Sequence, residues 1–106
     1  MKQIERHTLQ QIKHLILLCF RSGFVVSGPY KVTKEIDQLE LLFVTNNTIK
    51  QRWKKLFFHK PIYSLQISSQ ELGNWLKRGP RQVIGLLPNR HIRSANQYLH
   101  LLGQLR

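Results

Sequence analysis

From Thr8 to about Ser22 the apolar residues are Leu9, Ile12, Leu15, Ile16, Cys19 and Phe20, while Gln10, Lys13 and Arg21 fall elsewhere on the wheel. That spacing predicts a helix with one stripe to bury, opened by Thr8 as N-cap and stopped by Gly23. Phe24-Val25-Val26 predicts a short strand, closed by Ser27-Gly28-Pro29. Pro29 suits the first turn of a second helix, where its missing N–H costs nothing, and that helix is predicted to about Gln38 with Val32 and Ile36 inward. Leu39 to Thr45 is almost continuously apolar, the mark of a strand buried on both faces.

Asn46, Asn47 and Thr48 supply turn and cap chemistry ahead of a third helix. It carries Ile49, Trp53, Leu56 and Phe57 on one side and Lys50, Lys54 and Lys55 largely on the other. His59-Lys60-Pro61 breaks that helix, and Ile62 to Ile67 alternates like a strand. Ser68-Ser69-Gln70-Glu71 has the form of a capping box and opens a short helix with Leu72, Trp75 and Leu76. After the basic loop Lys77-Arg78-Gly79-Pro80-Arg81, Val83 to Leu87 predicts another buried strand. Asn89 then caps a last helix holding Ile92, Ala95, Tyr98, Leu99 and Leu102.

Strict alternation of helix and strand predicts an α/β fold, a three-layer α-β-α sandwich with a central mixed sheet of about four strands. A helix between successive strands favours crossover connections over hairpins. With 106 residues and neither repeat nor linker, the expectation is one domain spanning residues 1–106.

Charge narrows the function. Seventeen Lys and Arg stand against five Asp and Glu, a formal +12 with a pI near 10.6. Such an excess concentrates polyanions, nucleic acid first and an anionic membrane surface second, and does not by itself separate RNA from DNA. No apolar run approaches the roughly 18 residues of a membrane span. Leu15 to Phe20 is too short and wrongly flanked for a signal peptide, so a cytoplasmic protein with no membrane partner is expected. The lone Cys19 excludes an internal disulfide and a cysteine zinc cage, and on an apolar helix face it reads as a small buried hydrophobe.

Catalysis is poorly provided for. Glu71 has a capping role, and Asp37 and Glu40 sit at a helix-to-strand corner where solvated charge is the usual explanation. His7, His14, His59, His91 and His100 show no metal spacing, and neither GxxxxGK[ST] nor GxGxxG occurs. The expectation is no enzyme, no catalytic residue, no metal and no cofactor. Two basic loops are better placed. In Ser27-Gly28-Pro29-Tyr30-Lys31-Val32-Thr33-Lys34 a glycine turn opens a helix whose first amides attract phosphate, Lys31 and Lys34 project beside them, and Tyr30 offers a ring to stack on a base. In Lys77-Arg78-Gly79-Pro80-Arg81 three cations are confined by Gly and Pro.

Taken in order, Arg21-Ser22-Gly23, Ser27-Gly28 followed by Thr33-Lys34, a buried strand, a helix, a Pro-led strand, Ser69-x-Glu71-Leu72-Gly73 and Val83-Ile84-Gly85 resemble the kink-turn-binding ribosomal protein family. The archaeal founder of that family is ribosomal protein L-seven-Ae, and the branch most similar is that of the small bacterial YlxQ-like RNA-binding proteins. The resemblance runs from about Leu9 to Leu102. It implies a single RNA-binding domain of the L-seven-Ae-like type, in which the two basic loops lie side by side and grip structured RNA, ribosomal RNA foremost, with the ribosome or its proteins as partners. The implied RNA-binding residues are Gly28, Tyr30, Lys31, Thr33, Lys34, Lys77, Arg78 and Arg81, with the third helix's lysines as bystanders. By position Gly28, Thr33 and Lys34 follow the family's G-x-N-E-x-x-K pattern, Gly28 and Lys34 on its fixed positions and Thr33 on the variable one before the lysine. Tyr30 and Lys31 replace the Asn and Glu that read sheared G·A pairs, and a lysine ammonium has donors only, so a standard kink-turn is not the expected ligand. A protein–protein adaptor or accessory subunit on the same fold is the alternative.

Overall fold

The structure, a computed structural model, describes residues 6–46, 50–57, 60–95 and 99. The elements run α1 (Arg6–Arg21), β1 (Val25–Ser27), α2 (Pro29–Lys34), a single 3-10 turn (Ile36–Gln38), β2 (Leu41–Val44), α3 (Lys50–Leu56), β3 (Ile62–Ser64), α4 (Ser69–Trp75), β4 (Val83–Leu86) and α5 (Arg90–Ser94). This is the alternation predicted from the apolar pattern.

Side chains along a strand point to opposite faces in turn, so a strand with no polar position must be covered twice. Leu41 and Phe43 of β2, with Ile84 and Leu86 of β4, pack against Ile12, Leu15, Ile16 and Cys19 of α1, Leu72 and Leu76 of the α4 segment, and Ile92 of α5. Leu42 and Val44, with Val83, turn the other way onto Val32 of α2 and onto Trp53 and Phe57 of the α3 segment. Two cores therefore lie back to back across one sheet, and the molecule is the expected α-β-α sandwich.

The sheet order is β1-β4-β2-β3. β2 and β3 pair in parallel across the α3 crossover, with Phe43 opposite Tyr63. β4 lies between β1 and β2 and is antiparallel to both, placing Ser27 opposite Ile84 and Val44 opposite Val83. Its first residues thus sit at the end of the sheet where β1 and β2 finish.

Several boundaries differ from the sequence reading. α1 already includes Arg6, so Thr8 lies within the helix and is not its cap. Its far end closes as expected: Phe24 N–H bonds Cys19 O at 2.8 Å and Gly23 N–H bonds Phe20 O at 3.1 Å, the paired bonds of a Schellman motif. α2 stops at Lys34 instead of Gln38 because Glu35 leaves the α region (φ −109°, ψ 20°) and the chain tightens into the 3-10 turn. Lys60 Nζ secures that turn by donating to Asp37 O (3.1 Å) and Leu39 O (2.8 Å). β3 ends at Ser64, two residues before Gln66 takes a positive φ of 60°. Leu56, predicted on the buried side of α3, is 44% exposed, since Trp53 and Phe57 take the sheet-facing positions. Asn47, Thr48, Ile49, the Lys50 side chain, His59, Tyr98, His100 and Leu102 lie outside the described residues.

The caps predicted at Ser68 and Asn89 form. Ser68 Oγ accepts from Glu71 N–H at 3.1 Å, the serine half of the capping box. Asn89 Oδ1 accepts from His91 N–H (2.8 Å) and Ile92 N–H (3.2 Å), while Asn89 Nδ2 donates to Leu87 O (2.7 Å). No described helix is long and apolar enough to cross a membrane.

Candidate nucleic-acid interface

Antiparallel pairing of β1 with β4 decides where the basic loops meet. Gly28 continues the ladder beyond β1 by donating its N–H to Val83 O at 3.0 Å, so the chain leaving β1 passes the chain entering β4. Gly28 itself sits at φ 91°, ψ 152°, a conformation essentially confined to glycine, although nothing lies within 4 Å of where a Cβ would stand. Backbone geometry, not space, requires glycine there. It aims the chain into α2, with Pro29 at the first helical position.

On the other strand, the loop from Lys77 to Arg81 is pinned to α4 and to β1. Arg81 N–H bonds Ser69 O at 2.9 Å, and Arg81 Nε donates to Ser27 Oγ at 3.3 Å. Arg81 Nη1 donates to Gly79 O and Pro80 O, both at 3.1 Å, bracing its own loop. Its Nη2 group keeps two N–H donors without a hydrogen bond among the described residues. Arg78 lays its guanidinium over the Phe20 ring, 5.9 Å from the centroid. Such a contact contributes about 0.5–1 kcal/mol at an exposed site, enough to favour one orientation.

Between these segments lies a cleft of about 580 Å³ walled by Tyr30, Lys31, Lys34, Arg78 and Arg81, with Phe20, Val25, Val26 and Ser27 also lining it. Among the described residues Glu35 is the one carboxylate on its wall, against four cations. The Tyr30 side chain is 78% exposed, so its ring faces are not occupied by core packing. A cation-walled depression beside an exposed ring suits a ligand that is anionic along its backbone and flat in its side groups.

Five of the eight residues singled out from sequence thus surround one cleft. Gly28 stands behind it as the hinge into α2. Thr33 lies on the flank of α2 toward α3, and its hydroxyl donates to Pro29 O at 2.7 Å. Lys77 does not line the cleft: it holds a left-handed φ of 56° and ends α4, donating to Asn74 O at 3.1 Å while Arg78 N–H reaches Gly73 O at 2.9 Å. The phosphate-attracting helix start expected from sequence is also modest. α2 has six residues, Pro29 has no N–H, and Val32 N–H is already taken by Gly28 O at 3.0 Å, which leaves the Tyr30 and Lys31 amides and few aligned peptide dipoles.

Sequence reasoning missed Arg52. It is exposed on α3 and, with Pro29, Tyr30, Thr33 and Lys34, lines a second depression of about 550 Å³. Its sole sequence signal is its place beside Trp53, about 100° round the helix from the buried face. Elsewhere, no group of three or more His, Cys, Asp or Glu that could hold a metal ion comes together among the described residues.

No protein-family model and no curated protein matches the sequence. Solved structures do match. A Giardia lamblia 15.5 kD RNA-binding protein is similar with a TM-score of 0.82 at 11% identity, over 100% of this chain and 96% of that one. A Bacillus halodurans protein of unknown function is similar with a TM-score of 0.67 at 21% identity, over 83% of this chain and 95% of that one. At these identities the likeness establishes a shared fold.

Proposed function

We propose that this chain binds structured RNA, ribosomal RNA foremost, through the cleft between α2 and the loop before β4, and that it acts by binding and not by catalysis. The observation that carries this is convergence: Lys31 and Lys34 from one segment and Arg78 and Arg81 from another wall one depression beside an exposed Tyr30 ring. The net charge of +12 supplies the long-range attraction. The likeness to a protein described as RNA-binding supports the same reading. The wall chemistry fits phosphate contacts more than base-pair reading, because Tyr30 and Lys31 carry no carboxylate or amide acceptor toward guanine. A target other than a standard kink-turn follows, met in the cytoplasm on or beside the ribosome.

An adaptor working through apolar contact needs a broad exposed patch. Among the described residues the exposed large hydrophobics are Tyr30 and Leu56 alone, which favours RNA.

Titration of ribosomal RNA fragments at several salt concentrations tests the proposal. With four to six phosphate contacts, log K against log salt is expected to slope at about −3 to −5. A slope near zero for every RNA tried would remove the RNA-binding reading.

A further inference from the structure

The second depression shares two walls with the first. Tyr30 and Lys34 line both, so the two hollows are divided only by the ridge those side chains form on α2. The far wall of the second hollow is Arg52, and no carboxylate among the described residues lines it. Arg52 holds its guanidinium carbon 5.8 Å from the centroid of the Trp53 ring, and Trp53 is buried. A guanidinium set over an indole loses rotamer freedom in advance, keeps its planar donors, and is weakly hydrated, which suits phosphate or a base face. Lys54 stands about 200° round α3 from Arg52 and lines neither hollow.

We infer, on the RNA-binding reading, that Arg52 carries the interface over α2 onto α3, so that RNA straddles the Tyr30–Lys34 ridge with Arg52 neutralising backbone on the far side. The exposed Tyr30 ring then meets the ligand from both flanks. The third helix contributes through its arginine, not its lysines.

The test uses the full chain and two fluorescent RNA hairpins, one with an asymmetric internal loop and one fully paired, titrated at several salt concentrations. Wild type, Arg52→Ala, Arg52→Lys and Lys54→Ala are compared, each checked by thermal melting. Arg52→Ala is expected to weaken binding of the looped hairpin about tenfold, as the loss of a charge-assisted hydrogen bond predicts. It should also make the salt slope shallower by about one. Arg52→Lys should restore the slope and only part of the affinity, and Lys54→Ala should change affinity less than about twofold. If wild type binds and Arg52→Ala matches Lys54→Ala in both affinity and slope, the extension onto α3 is overturned while RNA binding stands. If wild type binds neither hairpin nor ribosomal RNA, the parent reading falls and takes the extension with it.

Discussion

Gly73, buried in α4, lies directly against the carbonyl of Gly79, so that a Cβ on Gly73 would collide with the Gly79 oxygen. The backbone of the basic loop is seated on the helix at a distance that only a glycine permits. Arg78 N–H, bonded to Gly73 O at 2.9 Å, fixes the same seat from the other direction.

Gly73→Ala should therefore lift the loop or strain α4, because the obstructing atoms are backbone and cannot rotate away. Overpacking of this kind costs about 1–3 kcal/mol, and each kcal/mol lowers Tm by about 4–8 °C in a domain near this size. RNA affinity should fall as well, since Arg78 and Arg81 ride on the loop. Melting curves and an RNA titration check this; unchanged Tm and affinity would mean the loop does not depend on that seat.

Lys77 invites the opposite change. A lysine at φ 56° is strained by about 1–2 kcal/mol, partly offset in glycine by the entropy of a freer unfolded chain. Lys77→Gly should raise stability by up to about 1 kcal/mol. Because Lys77 stands outside the cleft, RNA binding should weaken only as one peripheral charge, less than about threefold. A tenfold loss would restore Lys77 to the site.

Within the cleft, Lys34→Ala and Arg81→Ala should each weaken RNA binding, and non-additively, since residues sharing a ligand couple. Arg81→Lys separates two roles: it keeps the charge and loses the bonds to Ser27, Gly79 and Pro80. Tyr30→Ala should cost about 1–3 kcal/mol if a base stacks there, and Tyr30→Phe little. Lys54→Ala is the control for diffuse attraction; equal losses in all variants would leave only a general basic surface.

The thiol of Cys19 should behave as core. It is fully buried and donates weakly to Asn89 Oδ1 at 3.6 Å. Burial raises its pKa above the ordinary thiol range. Below the ordinary thiol pKa both folded and unfolded chains keep the proton. As pH rises past it the unfolded chain ionises first, so this contribution to stability is lost toward high pH. Thiol-specific reagents should react slowly with the native protein and rapidly once it is unfolded. Asn89→Ala removes the cap on α5 and should cost about 1–2 kcal/mol.

The layers were legible because Leu41–Val44 and Val83–Leu86 contain no polar position, and only a sheet covered on both faces accommodates that. Strand order was not legible from local pattern, since it depends on which distant strands pair. Tyr30, Lys31, Lys34, Arg78 and Arg81, which line one cleft, stand out in the sequence as basic or aromatic residues in glycine-punctuated loops. That Lys77 stands outside the cleft was not legible, because charge reveals nothing of a left-handed helix end. The place of Arg52 beside Tyr30 and Lys34 was not legible because it depends on α3 lying beside α2, a fact of packing. Leu56 failed for a related reason: a helical stripe shows which side is apolar, not how wide a strip the sheet covers.

The position of β4 has a consequence for the order of events in the life of the chain. Ser27 and Arg81 are 54 residues apart, and they meet only because β4 inserts between β1 and β2. A nascent chain that has emerged as far as α3 already displays Lys31, Lys34 and Arg52, yet has only one wall of the cleft. Closing so long a loop is an entropic cost that must be met before the contacts reward it, so the cleft is assembled late. On the RNA-binding reading, tight binding of RNA then marks a finished molecule, and a truncated product lacking β4 is left with charge but no cleft.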